Sequence, residues 1–345
     1  RRTANPVRSS AGSSQLCQCD RNMNPGSLFD EIRSASHRVM CEARYVTIVS
    51  ERVRDYALSL PLEQARSPQL DQSSHFLSHG EATLAYIITL DAINFGSGYF
   101  PHLEKRPGMS GYYTVAASLT DWFGARGPLS AEALAGLTTR DCVEIFGQSE
   151  SNQPIVELMS LFARSLNDLG QYLLSKFGGR FAALVAAANH SAERLVRLLA
   201  KMPLFNDVQQ YGELTVPFFK RAQLTAADLS LALGGEGLGW FEDLDRMTIF
   251  ADNLVPHVLR VDGLLRYDPS LAERIDRGEL IPRDSLEEIE IRAAAVETVE
   301  RLAEAIREAG RPITSAGLDY LLWNRGQQPY YKQAKPRHRA RTTNY

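Results

Sequence analysis

A carboxylate set among apolar residues is the first feature of this sequence that could do chemistry. Asp252 follows Thr248-Ile249-Phe250-Ala251 and precedes Val255-Pro256. Burial among such neighbours raises the pKa of a carboxyl group unless a cation offsets it, so the position suits stabilisation of a positive charge that develops during a reaction. A helix cap is the alternative, because Pro256 can begin a helix and Asp252 or Asn253 can precede it. The pattern leaves both interpretations open.

Aromatic and cationic residues lie together in a second segment, Val216-Pro217-Phe218-Phe219-Lys220-Arg221-Ala222-Gln223. Aromatic rings stack on nucleobases, and the side chains of Lys220 and Arg221 can bind a phosphate. A surface turn before a helix capped by Thr225 is the alternative interpretation, and the spacing alone favours it.

Two further polar segments follow toward the end of the sequence. In Leu318–Asn324, Asp319 and Trp323 are four residues apart and share one helical face, although a docking helix whose Asp faces solvent has the same pattern. A basic tail comes next and is typical of a solvated, disordered terminus. Its cations and tyrosines are Tyr330, Tyr331, Lys332, Lys335, Arg337, His338, Arg339, Arg341 and Tyr345.

Metal-binding and cofactor-binding patterns are weak. His75 and His79 are four residues apart, but no Glu-x-x-His context accompanies them. Cys17-Gln18-Cys19 lacks a second pair at zinc spacing, and the sequence has neither a Walker A motif nor a dinucleotide-binding glycine pattern after a strand. We therefore expect no metal and no other cofactor.

Helical periodicity dominates the elements that must position these segments, and it predicts an all-α or nearly all-α fold of about ten helices. Strands are expected only around Thr215–Phe219. The clearest helical patterns run from Phe29 through Val46 toward Pro61, over residues 82–94, from Pro154 to Gly178-Gly179, up to Met202-Pro203, and from the capping-box pair Ser285 and Glu288 to Gly310.

Composition and charge limit the function classes. Residues 1–26 are rich in Arg and Ser and predict a flexible leader or arm. Residues 27–345 predict one helical domain, or two lobes of about 27–150 and 151–345 with the site between them. The net charge of −3 argues against an extended nucleic-acid surface. Residues 224–300 carry 17 acidic and 7 basic residues, which suits a cationic ligand or a cation-like transition state.

Taken together and in order, these segments resemble the queuosine salvage family, the queuosine 5'-phosphate N-glycosylases. The resemblance covers roughly residues 70–345 and includes motifs of several lengths. They are Leu90-Asp91-Ala92-Ile93-Asn94-Phe95, Ser110-Gly111-Tyr112, Phe177-Gly178-Gly179, Phe219-Lys220-Arg221-Ala222-Gln223, Thr248-Ile249-Phe250-Ala251-Asp252, Val255-Pro256, Glu288-Ile289-Glu290-Ile291-Arg292, Leu318-Asp319-Tyr320 and Pro336-Arg337-His338-Arg339.

The resemblance implies an all-helical fold similar to that of helix-hairpin-helix DNA glycosylases. It implies hydrolysis of the N-glycosidic bond of queuosine 5'-phosphate, which releases queuine and ribose 5-phosphate. By motif position, Asp252 matches the catalytic carboxylate, and it would stabilise an oxocarbenium-like sugar or attack it. The expected contacts to the base are Phe250, Asp319, Tyr320, Asn324 and His75, with His79 as the alternative histidine. Lys220 and Arg221 would hold the 5'-phosphate, with possible help from the basic tail.

The sequence also departs from the family pattern. Asn253 replaces a Tyr, His257 replaces a Gln, and Asn324 replaces an Asp that could have paired with the cationic side arm of queuine. The sequence of Asn94–Tyr99 is typical of a bacterial branch of the family. We expect a cytoplasmic monomer that binds a small nucleotide and no membrane or nucleic acid. A non-catalytic module that binds modified nucleotides or tRNA, and a DNA repair glycosylase, remain alternatives.

Overall fold

The computed structural model of the chain describes residues 26–66 and 68–345. The predicted N-terminal arm, residues 1–26, lies outside the described residues except for Gly26, and so does the Cys17-Gln18-Cys19 segment.

The described part of the chain is mostly helical, with 59% helix and 5% strand, which confirms the predicted class. It contains more helices than the periodicity predicts, because helices of four to eight residues are too short to show a repeating apolar face. The α-helices are Leu28–Glu42, Ser50–Ser59, Glu63–Arg66, Glu81–Ala92, Gly111–Arg126, Ala131–Gly136, Thr139–Ile145, Gln153–Phe177, Phe181–Ala186, Ala192–Leu199, Lys220–Ala232, Val255–Val261, Pro269–Asp276, Leu286–Glu308, Ser315–Gly326 and Pro329–Ala334. None of these described helices combines the length and apolar composition that crossing a bilayer requires.

Two small antiparallel sheets accompany the helices. Val208–Tyr211 pairs with Leu214–Pro217 in a hairpin, close to where the sequence predicts a strand. Val46–Ile48 pairs with Leu265–Tyr267, and here the prediction that Val46 continues a helix is wrong. Val46-Thr47-Ile48 is a short β-branched run whose partner strand lies far away in the sequence, so no local hairpin signal reveals it.

The Leu286–Glu308 helix runs through the core and is buried on most of its surface. Ser285 caps it by accepting a hydrogen bond from the Glu288 backbone N–H, as predicted. Two charged side chains on this helix form hydrogen bonds to the backbone of neighbouring segments. Glu290 accepts hydrogen bonds from the backbone N–H groups of three consecutive residues that lead into the first strand, Arg44, Tyr45 and Val46. Arg292 has a corresponding role near the cavity described below.

The basic tail is packed against the body, so the prediction of a solvated, disordered terminus is wrong. The backbone N–H of Gly96 donates to the carbonyl of Tyr345 at 3.0 Å, and the backbone N–H of Ile281 donates to the carbonyl of Arg339 at 2.8 Å. The side chains of Tyr331, His338 and Tyr345 are buried. These aromatic rings give the tail enough apolar area to pack, which a count of its charges alone does not reveal.

A substitution at Gly98 tests this packing. A Cβ atom built on Gly98 lies 2.2 Å from the carbonyl oxygen of Ala340, so Gly98→Ala forces the tail away from the body. We expect a loss of about 1–3 kcal/mol in the free energy of unfolding, measured by urea denaturation. Gly124→Ala is the matched control, because a Cβ there has no neighbour within 4 Å inside a helix, and it should be neutral or stabilising. Equal effects of the two substitutions would contradict the close contact.

Candidate active site

A cavity of about 430 Å³ brings most of the predicted residues together. This volume suits a nucleotide-sized ligand. Seven of the eight predicted site residues line it: His75, Lys220, Phe250, Asp252, Asp319, Tyr320 and Asn324. The side chains of Lys220, Phe250 and Asp319 are buried, whereas Asn324 is exposed at the mouth. The cavity therefore has a buried floor and an open rim.

Asp252 is anchored through one oxygen. Its Oδ1 atom accepts hydrogen bonds from the backbone N–H groups of Leu254 at 2.8 Å and Val255 at 3.0 Å, at the start of the Val255–Val261 helix. The carboxylate therefore binds the first turn of that helix as a capping residue does, and it also lines the cavity, where its chemical role stays a prediction. Burial raises the pKa of Asp252, while Lys220 and the two backbone N–H groups oppose that rise. Both of its hydrogen bonds within the described chain go to Oδ1, so neither of them engages Oδ2.

Lys220 is the buried cation of the cavity floor. Its side chain donates to the backbone carbonyl and to the Oδ1 atom of Asn94, both at 3.2 Å. Its helix starts at Lys220 itself, and the hydroxyl of Thr225 bonds to the Arg221 carbonyl inside that helix. The alternative of a surface turn capped by Thr225 is therefore wrong. Burial lowers the pKa of Lys220, and the carboxyl groups of Asp252 and Asp91 raise it.

Arg221 does not line the cavity. Its guanidinium group is buried between the rings of Phe95 and Phe205, at 4.8 and 4.5 Å from their centres. It donates hydrogen bonds to the backbone carbonyls of Ala92 and Leu204. With its donors engaged in this way, Arg221 braces the backbone behind the site, and the geometry gives no support to the prediction that it contacts a phosphate.

The aromatic and acidic residues of the floor form a connected set. The backbone N–H of Phe250 donates to Oδ1 of Asp319 at 3.0 Å. The rings of Phe250 and Tyr320 meet edge to face, with their centres 5.8 Å apart. Burial raises the pKa of Asp319 well above its usual range, and the neighbouring Asp252 carboxylate adds to this effect. Asp319 therefore faces inward, which excludes the docking-helix alternative.

Asp228 lines the cavity but is not among the residues that the sequence motifs predict. Its Oδ1 atom accepts a hydrogen bond from the Tyr320 hydroxyl at 2.9 Å, and its side chain lines the cavity. Burial raises the pKa of Asp228 to about 7, although the Tyr320 hydrogen bond and Lys220 oppose the rise. A signal is present in the sequence, because Lys220, Leu224 and Asp228 are four residues apart and all three line the cavity from one helix face.

His75, rather than His79, is the histidine of the cavity. Its Nδ1 atom lies 2.8 Å from the Asp71 carbonyl oxygen, so Nδ1 carries the proton and donates. Burial lowers the pKa of His75, and the neutral ring therefore accepts a hydrogen bond from the Tyr112 hydroxyl through Nε2, at 2.9 Å. His79 does not line the cavity and stacks on Phe76 with the ring centres 4.0 Å apart.

Four cations line the rim of the cavity: Lys105, Lys332, Arg337 and Arg339. Three of them belong to the basic tail, which the Asn253 side chain holds by donating to the His338 carbonyl at 3.1 Å. Burial lowers the pKa of Lys105, and the positive charges of Arg337 and Lys332 lower it further. Lys105, Lys332 and Arg337 are therefore close enough to repel one another, and such a concentration of positive charge suits an anion. Lys105 lies outside every motif and had no signal in the sequence.

The raised pKa of Asp228 predicts how stability depends on pH. Between its ordinary value of 3.8 and about 7, the folded protein keeps a proton on Asp228 that the unfolded chain releases. The free energy of unfolding therefore falls as pH rises through this window. We expect Asp228→Asn to be more stable than the wild type by about 1–3 kcal/mol at pH 8, with a smaller gain at pH 5. Urea denaturation at both values measures this.

Asp121→Asn is the control for that measurement, because the Asp121 carboxylate is 69% exposed and pairs with Arg106 at the surface. It should change stability little, and equally at both pH values. If the wild-type protein is more stable than Asp228→Asn at pH 8, the assigned titration of Asp228 is wrong.

Comparison with known proteins identifies the family of this chain. Residues 74–345 match the family model described as queuosine salvage protein. A protein of Sphaerobacter thermophilus named queuosine 5'-phosphate N-glycosylase/hydrolase is 37% identical over 91% of this chain and 97% of its own length. Proteins with the same name from Mus musculus and Dictyostelium discoideum are 29% and 32% identical over 91% and 77% of this chain, and 98% and 79% of their own lengths. The chain belongs to the queuosine salvage protein family.

Proposed function

We propose that this protein hydrolyses the N-glycosidic bond of queuosine 5'-phosphate and releases queuine and ribose 5-phosphate. The observation that carries the proposal is the set of groups that line one cavity. An acidic and aromatic floor suits the base, the anchored carboxylate of Asp252 lies among the lining residues, and a cationic rim suits the phosphate. The names of the relatives support the same reaction.

Asp252 supplies the electrostatic contribution to bond cleavage. Departure of the base builds positive charge on the ribose ring, and a fixed carboxylate stabilises that charge more in the transition state than in the ground state. The bonds from Leu254 and Val255 to Oδ1 set the direction of the carboxylate before the substrate arrives. Stabilisation of an oxocarbenium-like sugar and formation of a covalent ribosyl intermediate both require Asp252 to be ionised, and Lys220 favours the ionised form.

The floor of the cavity stabilises the leaving base. Queuine is a 7-deazaguanine and lacks the N7 acceptor that a purine offers for protonation, so its departure depends on hydrogen bonds to its other edges. Asp319 faces the cavity and suits the ring N–H and amino donors. The rings of Phe250 and Tyr320 provide apolar surface for the heterocycle. His75 and Asn324 add polar contacts, and the acidic floor favours the cationic side arm of the base.

The rim takes the 5'-phosphate in this proposal. Lys105, Lys332 and Arg337 are exposed to solvent, where an anion can enter, whereas Lys220 is buried beside Asn94. Phosphate neutralises the mutual repulsion of the rim cations. We accordingly assign phosphate binding chiefly to the rim, and we keep Lys220 beside Asp252 as the cation of the floor.

The remaining parts of the proposal concern fold and assembly. We infer a fold related to that of helix-hairpin-helix DNA glycosylases, supported by the mostly helical architecture and the family resemblance. We also propose that the protein acts as a monomer on a free nucleotide. The packed tail supports this view over a nucleic-acid module, because cations that line the cavity cannot form a flexible arm on a duplex. Superposition on a helix-hairpin-helix DNA glycosylase tests the fold relationship, and sedimentation of the protein tests the monomeric state.

Substitution of Asp252 tests the reaction. We expect Asp252→Ala to reduce queuine release from queuosine 5'-phosphate by at least about 100-fold, because it removes one preorganised electrostatic contact to the transition state. Release of the free base is followed by mass spectrometry. Asp252→Asn should lose activity as well, since it keeps the shape and removes the charge. The proposal fails if the wild-type protein releases no queuine, or if Asp252→Ala releases it at the wild-type rate.

Substitution of Lys332 tests the phosphate site. We expect Lys332→Met to lower kcat/KM for queuosine 5'-phosphate by roughly 10-fold, the size of one lost charge-assisted hydrogen bond, and to leave kcat/KM for the nucleoside queuosine unchanged. Lys335→Met is the matched control, because Lys335 ends the same short helix but does not line the cavity. Equal losses on nucleotide and nucleoside would contradict the assignment.

A further inference from the structure

Behind the cavity, Asp207 and Arg292 form a buried ion pair with two parallel hydrogen bonds. Nη1 of Arg292 lies 2.8 Å from Oδ1 of Asp207, and Nη2 lies 2.6 Å from Oδ2. Both side chains are almost fully buried, and the Arg292 guanidinium is 4.1 Å from the centre of the Phe218 ring. Neither residue lines the cavity, so neither contacts a ligand bound there.

The arginine of this pair holds the backbone next to Asp252. Nε of Arg292 donates to the carbonyl oxygen of Ala251 at 2.9 Å. That oxygen belongs to the peptide group between Ala251 and Asp252, so the bond fixes the plane from which the Asp252 side chain leaves the chain. Together with the bonds from Leu254 and Val255 to Oδ1, it holds Asp252 from both sides.

The aspartate of the pair holds the other charged group of the floor. Oδ2 of Asp207 accepts a hydrogen bond from the backbone N–H of Lys220 at 3.0 Å. The Asp207 carbonyl also accepts from the N–H groups of Phe218 and Phe219. Phe219 has a left-handed backbone, with φ of 48°, which is uncommon for an aromatic residue and needs such restraint. Asp207 therefore fixes the point at which the helix that carries Lys220 begins.

We infer that Asp207 and Arg292 are positioning residues for catalysis, which set the separation and direction of the Asp252 carboxylate and the Lys220 ammonium. This inference rests on the proposed function, because it assigns the pair a part in that reaction. A role in stability alone explains the arrangement less well, since buried ion pairs contribute little net stability compared with apolar residues of similar size. A displacement of about 1 Å in a catalytic group is enough to reduce a rate by about 100-fold.

The test uses Asp207→Asn and Arg292→Lys in the full chain, with queuosine 5'-phosphate as substrate. Asparagine has one acceptor oxygen where three donors converge, and lysine cannot bond to Asp207 through two nitrogens while it reaches the Ala251 carbonyl. We expect kcat to fall at least about 10-fold for each variant, with KM within about 3-fold of the wild type. For Asp207→Asn we also expect the acidic limb of the pH profile of kcat to move to higher pH. The displaced Lys220 favours the ionised form of Asp252 less, while the other charged groups near that carboxylate, Asp319 and Arg337, stay in place.

Glu290→Gln is the matched control. Glu290 lies on the same helix two residues from Arg292 and is also buried, but its hydrogen bonds go to Arg44, Tyr45, Val46 and Tyr211, which do not line the cavity. It should lower the midpoint of thermal unfolding and leave both kcat per folded molecule and its pH profile unchanged. A purely structural role of Asp207 and Arg292 predicts the same behaviour for all three variants.

The outcomes separate this inference from the proposed function. A wild-type protein that releases no queuine refutes the proposed function before any variant is measured. With an active wild type, the inference is overturned if folded Asp207→Asn and Arg292→Lys keep kcat within about 2-fold and the same acidic limb. It is also overturned if neither variant folds while Glu290→Gln does, since the pair is then a requirement of the fold itself.

Discussion

The charge of Lys220 is the constraint on which the cavity depends. Four carboxyl groups, those of Asp91, Asp228, Asp252 and Asp319, lie close enough to this one ammonium group for it to favour the ionised form of each. Burial opposes ionisation in all four, and the carboxyl groups also repel one another. Lys220, even with Arg337 acting on Asp252, cannot neutralise four anions, so some of these groups keep protons. Asp91 is fully buried, and burial together with the Asp228 carboxyl group raises its pKa well above the usual range, which favours its protonated form.

This shortage of positive charge is useful to a protein that binds a cationic base and passes through a cation-like transition state. The floor is preorganised with more carboxyl groups than it can satisfy alone, and a ligand of the right charge relieves the repulsion. The rim has the opposite imbalance, since its cations repel one another until an anion binds. The two imbalances meet where Arg337 lies close to Asp252, so an excess of carboxyl groups and an excess of cations share one cavity.

The sequence predicts well those features that local patterns determine. The Gln153–Phe177 helix has Pro154 at its start and Gly178 in a left-handed conformation at its end, as expected from the two residues. Two short sequence motifs predict four residues of the cavity, Phe250, Asp252, Asp319 and Tyr320, and all four line it. The class of fold follows from the same helical periodicity, which needs no knowledge of which elements pack together.

The features that were missed depend on contacts between distant segments. Lys220 and Arg221 are adjacent and chemically alike, yet one faces the cavity and the other the Ala92 and Leu204 carbonyls, because successive residues of a helix point in different directions. Val46 joins a strand whose partner is Tyr267. The tail packs against the body because Gly98 leaves room for Ala340. The sequence around residue 340 contains no pattern that predicts this contact.

The tail supplies three of the four rim cations, which has a consequence for how the cavity forms during folding. Asn94, Lys220, Asp252 and Arg337 come from widely separated parts of the sequence, and closing such long loops is slow compared with forming individual helices. Because three of the rim cations belong to the tail, an anion bound among them adds stability only to the state in which the tail is packed against the body.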